Sequence, residues 1–160
     1  PDYQFVAAAM EHLPAKLYEK IASEYPVKII TGKTYDLLAV SEAALVTSGT
    51  ATLEAALFDV PQVVCYSTSP LTYLLAKWVI KVRFISLVNL ITDREIVREL
   101  IQGELNLKRL HKELSDILST GYRYKLMKKD YSQLREMLGG SGASERVAED
   151  IVRNLVHKSE

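Results

Sequence analysis

A strand-like run, Ala43 to Val46, gives way to Thr47-Ser48-Gly49-Thr50 and then to a helical stretch from Ala51 to Phe58. Ser48, Gly49 and Thr50 have side chains small enough for an anion to reach the backbone N–H groups at a helix start, where the helix dipole also favours negative charge. In an open α/β sheet such a turn stands at the carboxyl end of a strand, where ligands bind. Glu54, one turn into the helix, is placed to accept hydrogen bonds from a ribose diol beside a seated phosphate. The residues alone leave this reading level with a plainer one, a helix cap followed by an exposed glutamate.

A second run, Phe84 to Gln102, sets polar groups in an apolar frame. Asn89 lies between Leu87-Val88 and Leu90-Ile91, where its amide is costly to bury unless it bonds backbone or ligand. Thr92-Asp93-Arg94-Glu95 reads as a capping box, with Thr92 as N-cap and Glu95 reaching back to it. Arg94 and Glu95 then serve the cap, and Glu99 and Gln102 are solvated, unless the same groups meet a ligand.

Other chemistries find less support. Thr31-Gly32-Lys33-Thr34 resembles the end of a phosphate loop, but Val27 stands where that motif needs its first glycine. His12, His111 and His157 have no Cys or carboxylate at metal-ligand spacing, so neither a metal nor a cofactor is expected. Cys65 sits in the apolar run Val63-Val64-Cys65-Tyr66 as a small hydrophobe, and no Ser-His-Asp order suggests itself.

The elements that must position these residues alternate between short apolar runs and helical stretches, the pattern of an α/β domain with a parallel sheet. Strands are expected at Tyr3 to Ala8, Val27 to Ile30, Ala43 to Val46, Val63 to Tyr66 and Phe84 to Ser86. Helices are expected at Pro14 to Glu24, Tyr35 to Val40, Ala51 to Phe58 and Leu71 to Lys81, giving one doubly wound layer. Beyond Ser86 the tail reads as all helix: Asp93 to Gln102, Leu107 to Ser119, Tyr122 to Leu138, and a last helix capped by Ser144 and running to His157. Gly139-Gly140-Ser141-Gly142 breaks the helicity before that last segment.

Composition bounds the function classes. The 160 residues carry 20 Lys+Arg against 20 Asp+Glu, which lacks the cationic excess of a nucleic-acid binder. Its single cysteine excludes a disulfide framework and fits a reducing compartment. Charge is uneven, with 5 basic and 8 acidic residues in the first 80 and 15 and 12 in the last 80. The cations gather at Arg123, Lys125, Lys128 and Lys129 among Tyr122, Tyr124 and Tyr131, read as a solvated helix face ahead of an anion-binding patch. Leu71 to Val82, broken by Lys77 and Lys81, is too short to span a bilayer and reads as a partly buried helix. No signal peptide is visible at Pro1-Asp2-Tyr3, and the absent initiator Met suggests a fragment or a processed chain.

Taken together in order and spacing, the two polar segments resemble the C-terminal half of the lipid-A-disaccharide synthase family, glycosyltransferases of the GT-B type. The resemblance rests on Ser48-Gly49-Thr50-Ala51-Thr52-Leu53-Glu54, Pro61, Ile85-Ser86-Leu87-Val88-Asn89-Leu90 and Arg94-Glu95-Ile96-Val97-Arg98-Glu99-Leu100-Ile101-Gln102. It covers Tyr3 to about Leu118 well and the helical tail in outline. Where many members carry proline, this chain has Val88 and Arg98, which bears on loop rigidity.

The resemblance implies a Rossmann-like parallel sheet flanked by helices with a helical C-terminal tail, one half of a GT-B fold. Residues 1–120 would form a UDP-sugar-binding domain, incomplete at its N-terminus, and residues 121–160 the tail. The activity implied is inverting transfer of 2,3-diacylglucosamine from its UDP donor to 2,3-diacylglucosamine 1-phosphate, with Ser48, Gly49, Thr50, Glu54, Asn89, Arg94, Glu95, Glu99 and Gln102 on the UDP part of the donor. The catalytic base belongs to an N-terminal domain absent here, so no residue of this chain is named catalytic and the chain alone is expected to be inactive. Implied partners are that domain, the cytoplasmic face of the bacterial inner membrane as a peripheral surface, and a second copy through the tail beyond Tyr122. The alternatives are another UDP-sugar transferase or epimerase of the same fold, or a nucleotide-binding module without transferase activity.

Overall fold

Strands of three to five residues alternating with helices build a Rossmann-like α/β fold, with parallel strands flanked by helices and a helical C-terminal region. The computed structural model describes residues 3–47, 49–69, 83–139 and 142–156. Contacts divide the chain into two units, Pro1–Glu42 and Ala43–Glu160.

In the first unit, β1 (Phe5–Ala9) pairs in parallel with β2 (Val27–Thr31), in register from Phe5 opposite Val27 to Ala9 opposite Thr31. The connection runs through α1 (Ala15–Glu24), which starts behind Pro14, and α2 (Thr34–Val40) follows β2. These elements stand within a residue or two of their expected places.

In the second unit, β3 (Ala44–Val46), β4 (Gln62–Tyr66) and β5 (Arg98–Ile101) form a parallel sheet in the order β3-β4-β5. The central strand is sealed on both faces, Val63 and Val64 being fully buried, as a covered parallel sheet requires. Helix α3 (Thr50–Leu57) links β3 to β4. After β5 come a 3₁₀ turn (Gln102–Glu104), α5 (Leu107–Ile117), α6 (Tyr124–Leu138) and α7 (Ala143–Val156), with the short α4 (Leu87–Thr92) before it.

The segment from Phe84 to Gln102 departs from expectation. Phe84–Ser86 is not a strand, because the Ile85 and Ser86 N–H groups donate to the Glu99 carboxylate and Ser86 caps α4, its Oγ accepting from Asn89 N. Asp93–Gln102 is not a helix, because Asp93 ends α4 in the left-handed region (φ 49°) and the chain then extends into β5. The tail is therefore not all helix. Nor does Thr92 open a capping box: it is the last residue of α4, its hydroxyl donates to Val88 O, and Glu95 pairs with Arg98. Ser144 lies inside α7, which starts at Ala143. The helix expected at Leu71 to Lys81, like His157, lies outside the described residues.

The core of the second unit forms where α3, α4, α5 and α6 cover the sheet. Ala56, Val63, Val64, Val88, Val97, Leu100, Ile117, Met127, Tyr131 and Leu134 are all buried in it. Met127, Tyr131 and Leu134 recur at i, i+4 and i+7, one stripe of α6. Burial of side chains this large contributes roughly 1.5–3 kcal/mol each, so this part of the tail belongs to the core and not to a surface awaiting a partner. Gly121 lets α6 approach α5, since a Cβ there would lie 2.2 Å from Asp116 O. Gly139, at φ 79°, ends α6.

Candidate functional site

The second unit's strands are parallel, so their carboxyl ends share one edge of the sheet. Onto that edge come the turn after β3, residues Ser67 to Ser69 after β4, and the 3₁₀ turn after β5. Such an edge is the usual ligand side of an open α/β sheet.

Gly49 sits at φ 128°, ψ −157°, a region essentially closed to other residues, and a Cβ there would meet nothing within 4 Å. The turn is thus both backbone-demanding and open. Among the described residues no side chain caps α3, so the Thr50 and Ala51 N–H groups keep the donor capacity that a cap would take up, while the Thr52 N–H donates to Gly49 O. Thr50 is exposed, and Ser48 lies outside the described residues. Glu54 is half-buried, and among the described residues its carboxylate meets no hydrogen-bond partner.

Gln102 belongs to the same edge. Its Oε1 accepts from Thr68 N and from Ser67 Oγ, both at 3.2 Å, and its Nε2 donates to Thr68 O at 2.9 Å. It therefore stitches the carboxyl ends of β4 and β5 together.

Asn89 and Glu99 are placed differently, for both are buried and their polar atoms are taken up inside the protein. Asn89 Oδ1 accepts from Ile96 N (2.8 Å) and Val97 N (3.0 Å), and its Nδ2 donates to Val97 O (2.8 Å) and Glu99 Oε1 (2.9 Å). That exhausts the bonding capacity of a side-chain amide. Glu99 accepts from Ile85 N (2.9 Å), Ser86 N (3.0 Å) and Ser86 Oγ (2.8 Å) besides Asn89, so donors and not a cation compensate its burial.

Arg94 and Glu95 precede the amino end of β5, away from the carboxyl edge that carries the turn. Arg94 pairs with Asp130 of α6 at 2.9 Å and donates to Gln133 at 2.6 Å. Glu95 accepts from Arg98 at 2.9 Å, a bond that keeps the guanidinium firmly protonated. A recess of about 290 Å³ is lined by Arg83, Phe84, Glu95, Arg98, Glu99, Ile101 and Glu104. The structure thus brings Glu95 and Glu99 to one recess and turns Arg94 to Asp130 and Gln133 of α6.

A residue pair the sequence reading passed over is Gln62 with Tyr131. Gln62 Nε2 donates to Thr52 O (2.8 Å) and to the Tyr131 hydroxyl (3.2 Å), and both residues are fully buried. The signal was a glutamine opening an otherwise apolar run, Gln62-Val63-Val64. Burial pushes the Tyr131 phenol well above its ordinary range, and half-burial pushes the Cys65 thiol up, as suits a packing residue rather than a nucleophile. Among the described residues no group of three or more His, Cys, Asp or Glu could hold a metal, and no helix is long and apolar enough to cross a membrane.

With this geometry in place, the comparisons with known proteins become specific. A family model described as lipid-A-disaccharide synthetase matches residues 3–153. The lipid-A-disaccharide synthase of Syntrophus aciditrophicus is 42% identical over 144 residues, which are 89% of this chain and 37% of that protein. That of a Sulfurihydrogenibium species is 31% identical over an alignment of 171 positions, gaps included, that covers 99% of this chain and 44% of that protein. The Myxococcus xanthus synthase is 37% identical over 127 residues, 79% of this chain and 33% of that protein. The chain therefore spans less than half the length of these curated relatives. The match runs through both polar segments and all five strands, and this chain belongs to the lipid-A-disaccharide synthetase family.

Proposed function

We propose that this chain is the C-terminal, donor-binding part of a glycosyltransferase that makes the lipid A disaccharide. The reaction moves 2,3-diacylglucosamine from UDP to the 6-hydroxyl of 2,3-diacylglucosamine 1-phosphate with inversion. A base takes the hydroxyl proton, the oxygen bonds to the anomeric carbon, and the bond from that carbon to the diphosphate breaks, releasing UDP. The leaving diphosphate needs dipolar stabilisation, and an uncapped helix start can supply it. One observation carries this reading: the open, glycine-bound start of α3 at the carboxyl edge of the sheet, in a chain of this family.

In this reading Ser48, Gly49 and Thr50 seat the diphosphate and Glu54 takes the ribose, with Gln102 shaping the same edge. Asn89 and Glu99 hold the loop around Ser86, while Arg94 and Glu95 brace it from the amino side. Residues 1–120 then serve the UDP-sugar and residues 121–160 form the tail, though its helix α6 supports the same sheet. The base and the acceptor site belong to an N-terminal domain. The whole protein works at the cytoplasmic face of the inner membrane as a peripheral enzyme, with a second copy as partner.

Titration of the chain with UDP, TDP and ADP tests the reading. A preference for UDP, lost when the ribose hydroxyls are removed, is the expected result. Equal binding of ADP and UDP would leave a general nucleotide-binding module in its place. The chain alone should melt cooperatively and form no disaccharide, and turnover by a preparation free of longer enzyme would overturn the assignment of the base to another domain.

A further inference from the structure

Gln62 opens the central strand of the second unit with a side chain shielded from solvent, and its Oε1 has no hydrogen-bond partner among the described residues. An unpaired buried amide oxygen is destabilising, whereas a methionine of similar volume carries no such cost. The unpaired oxygen therefore offsets part of what the two Nε2 bonds contribute, and stability alone gives only a weak reason for glutamine at this position.

The bonds that Gln62 does make lead to the phosphate seat. Its Nε2 donates to Thr52 O, and Thr52 in turn holds the carbonyl of Gly49 twice, through Oγ1 at 2.7 Å and through N at 3.2 Å. The Gly49 carbonyl and the Thr50 N–H share one rigid peptide plane, so fixing the oxygen fixes the direction of that N–H. Gly49 has no side chain to restrain this plane itself. On the other side, Gln62 meets Tyr131 on α6, and its backbone N–H points at Met127 Sδ on the same helix at 3.4 Å. Helix α6 is further tied to the end of α3 by Arg135, which donates to Asp59 at 2.8 Å.

We propose that Gln62 and Tyr131 are positioning residues for the phosphate seat, passing the rigidity of α6 through Thr52 to the Gly49–Thr50 peptide. The proposal rests on the reading of this turn as the seat of the UDP diphosphate. Neither residue touches the nucleotide.

The test compares the wild-type chain with Gln62→Met, Tyr131→Phe and the double variant. Three quantities are read: the melting temperature, the Kd for UDP, and the ³¹P shift of bound UDP. Tyr131→Phe should melt within about 3 °C of wild type, and Gln62→Met, which takes a partner from the buried Tyr131 hydroxyl, within roughly 10 °C. Each should bind UDP about three- to tenfold more weakly. The double variant should be no weaker than the worse single one, because the two side chains act in series. The ³¹P shift of the bound diphosphate should move in all three, which a mere loss of folded protein does not cause. Wild-type binding together with unchanged Kd and ³¹P shift in the variants overturns the positioning role alone. Weakening that follows the melting temperature with an unmoved ³¹P shift also overturns it, leaving a packing role. A wild-type chain that fails to bind UDP removes the reading of the turn, and the proposal falls with it.

Discussion

The turn from Gly49 to Glu54 and the segment from Phe84 to Gln102 both present polar residues in apolar surroundings, yet they use those residues in opposite ways. Among the described residues, polar capacity at the turn is left open: α3 has no side-chain cap, a Cβ at Gly49 would meet nothing within 4 Å, and Glu54 has no hydrogen-bond partner. In the other segment it is used up, with Asn89 and Glu99 each making four hydrogen bonds inside the protein and Arg94 holding Asp130 and Gln133. A side chain whose donors and acceptors are already matched and buried gains nothing by turning to a ligand. Shared membership in a sequence pattern therefore does not make residues equal; one segment leaves its polar groups open and the other spends them holding the frame.

The sharpest way to break this contrast is to empty the saturated segment. Glu99→Ala strands the N–H groups of Ile85 and Ser86, the Ser86 hydroxyl and the Asn89 amide. Bonds to a charged acceptor are worth more than neutral ones, and the loss should reach about 3–4 kcal/mol, lowering the melting temperature by roughly 10 °C. A melt within about 3 °C of wild type would mean that Glu99 is not the frame's anchor.

The converse experiment removes an open group. Glu54→Ala should weaken UDP binding by one to two powers of ten, since a charge-assisted bond to a ribose hydroxyl is worth roughly 1.5–3 kcal/mol. Its stability should change by only a few tenths of a kcal/mol, because the carboxylate has no hydrogen-bond partner to lose among the described residues. Wild-type affinity with a normal melt would return Glu54 to the class of plain helix-surface residues. Gly49→Ala sharpens the contrast from the backbone side, since the strain at φ 128° should cost about 1–2 kcal/mol although the space around it is empty. Nearly unchanged melting and UDP affinity would show that the turn relaxes without loss.

What could be read from the sequence divides along the same line. Strands β1 to β4 and helices α1 to α3 announce themselves as apolar runs and amphipathic stretches, because their burial is decided locally. The turn's place between β3 and α3 could be read too, whereas its use could not, since a helix cap explains the same small residues. β5 could not, because Arg98 and Glu99 look like a solvated helix face, and Glu99 is tolerable in a strand only through donors 10 to 14 residues away. Whether Asn89 faced ligand or protein was likewise settled by contacts formed in the fold. The pairing of Gln62 with Tyr131 spans 69 positions, beyond the reach of any local pattern.

The smallest effect is the most discriminating for the second segment. Arg94 matches the family pattern as well as Glu54 does, but it is half-exposed and pairs with Asp130 and Gln133 on α6, at the amino side of the sheet. An ion pair this accessible is screened by water and contributes about 0–1 kcal/mol. Arg94→Ala should therefore lower the melting temperature by no more than about 3 °C and leave the Kd for UDP within about twofold of wild type. Asp130→Asn supplies the control, because it breaks the same pair from the α6 side and should give a similar small shift. A loss of tenfold or more in UDP affinity for Arg94→Ala, unmatched by Asp130→Asn, would place the guanidinium on the diphosphate and end the division between an open segment and a saturated one.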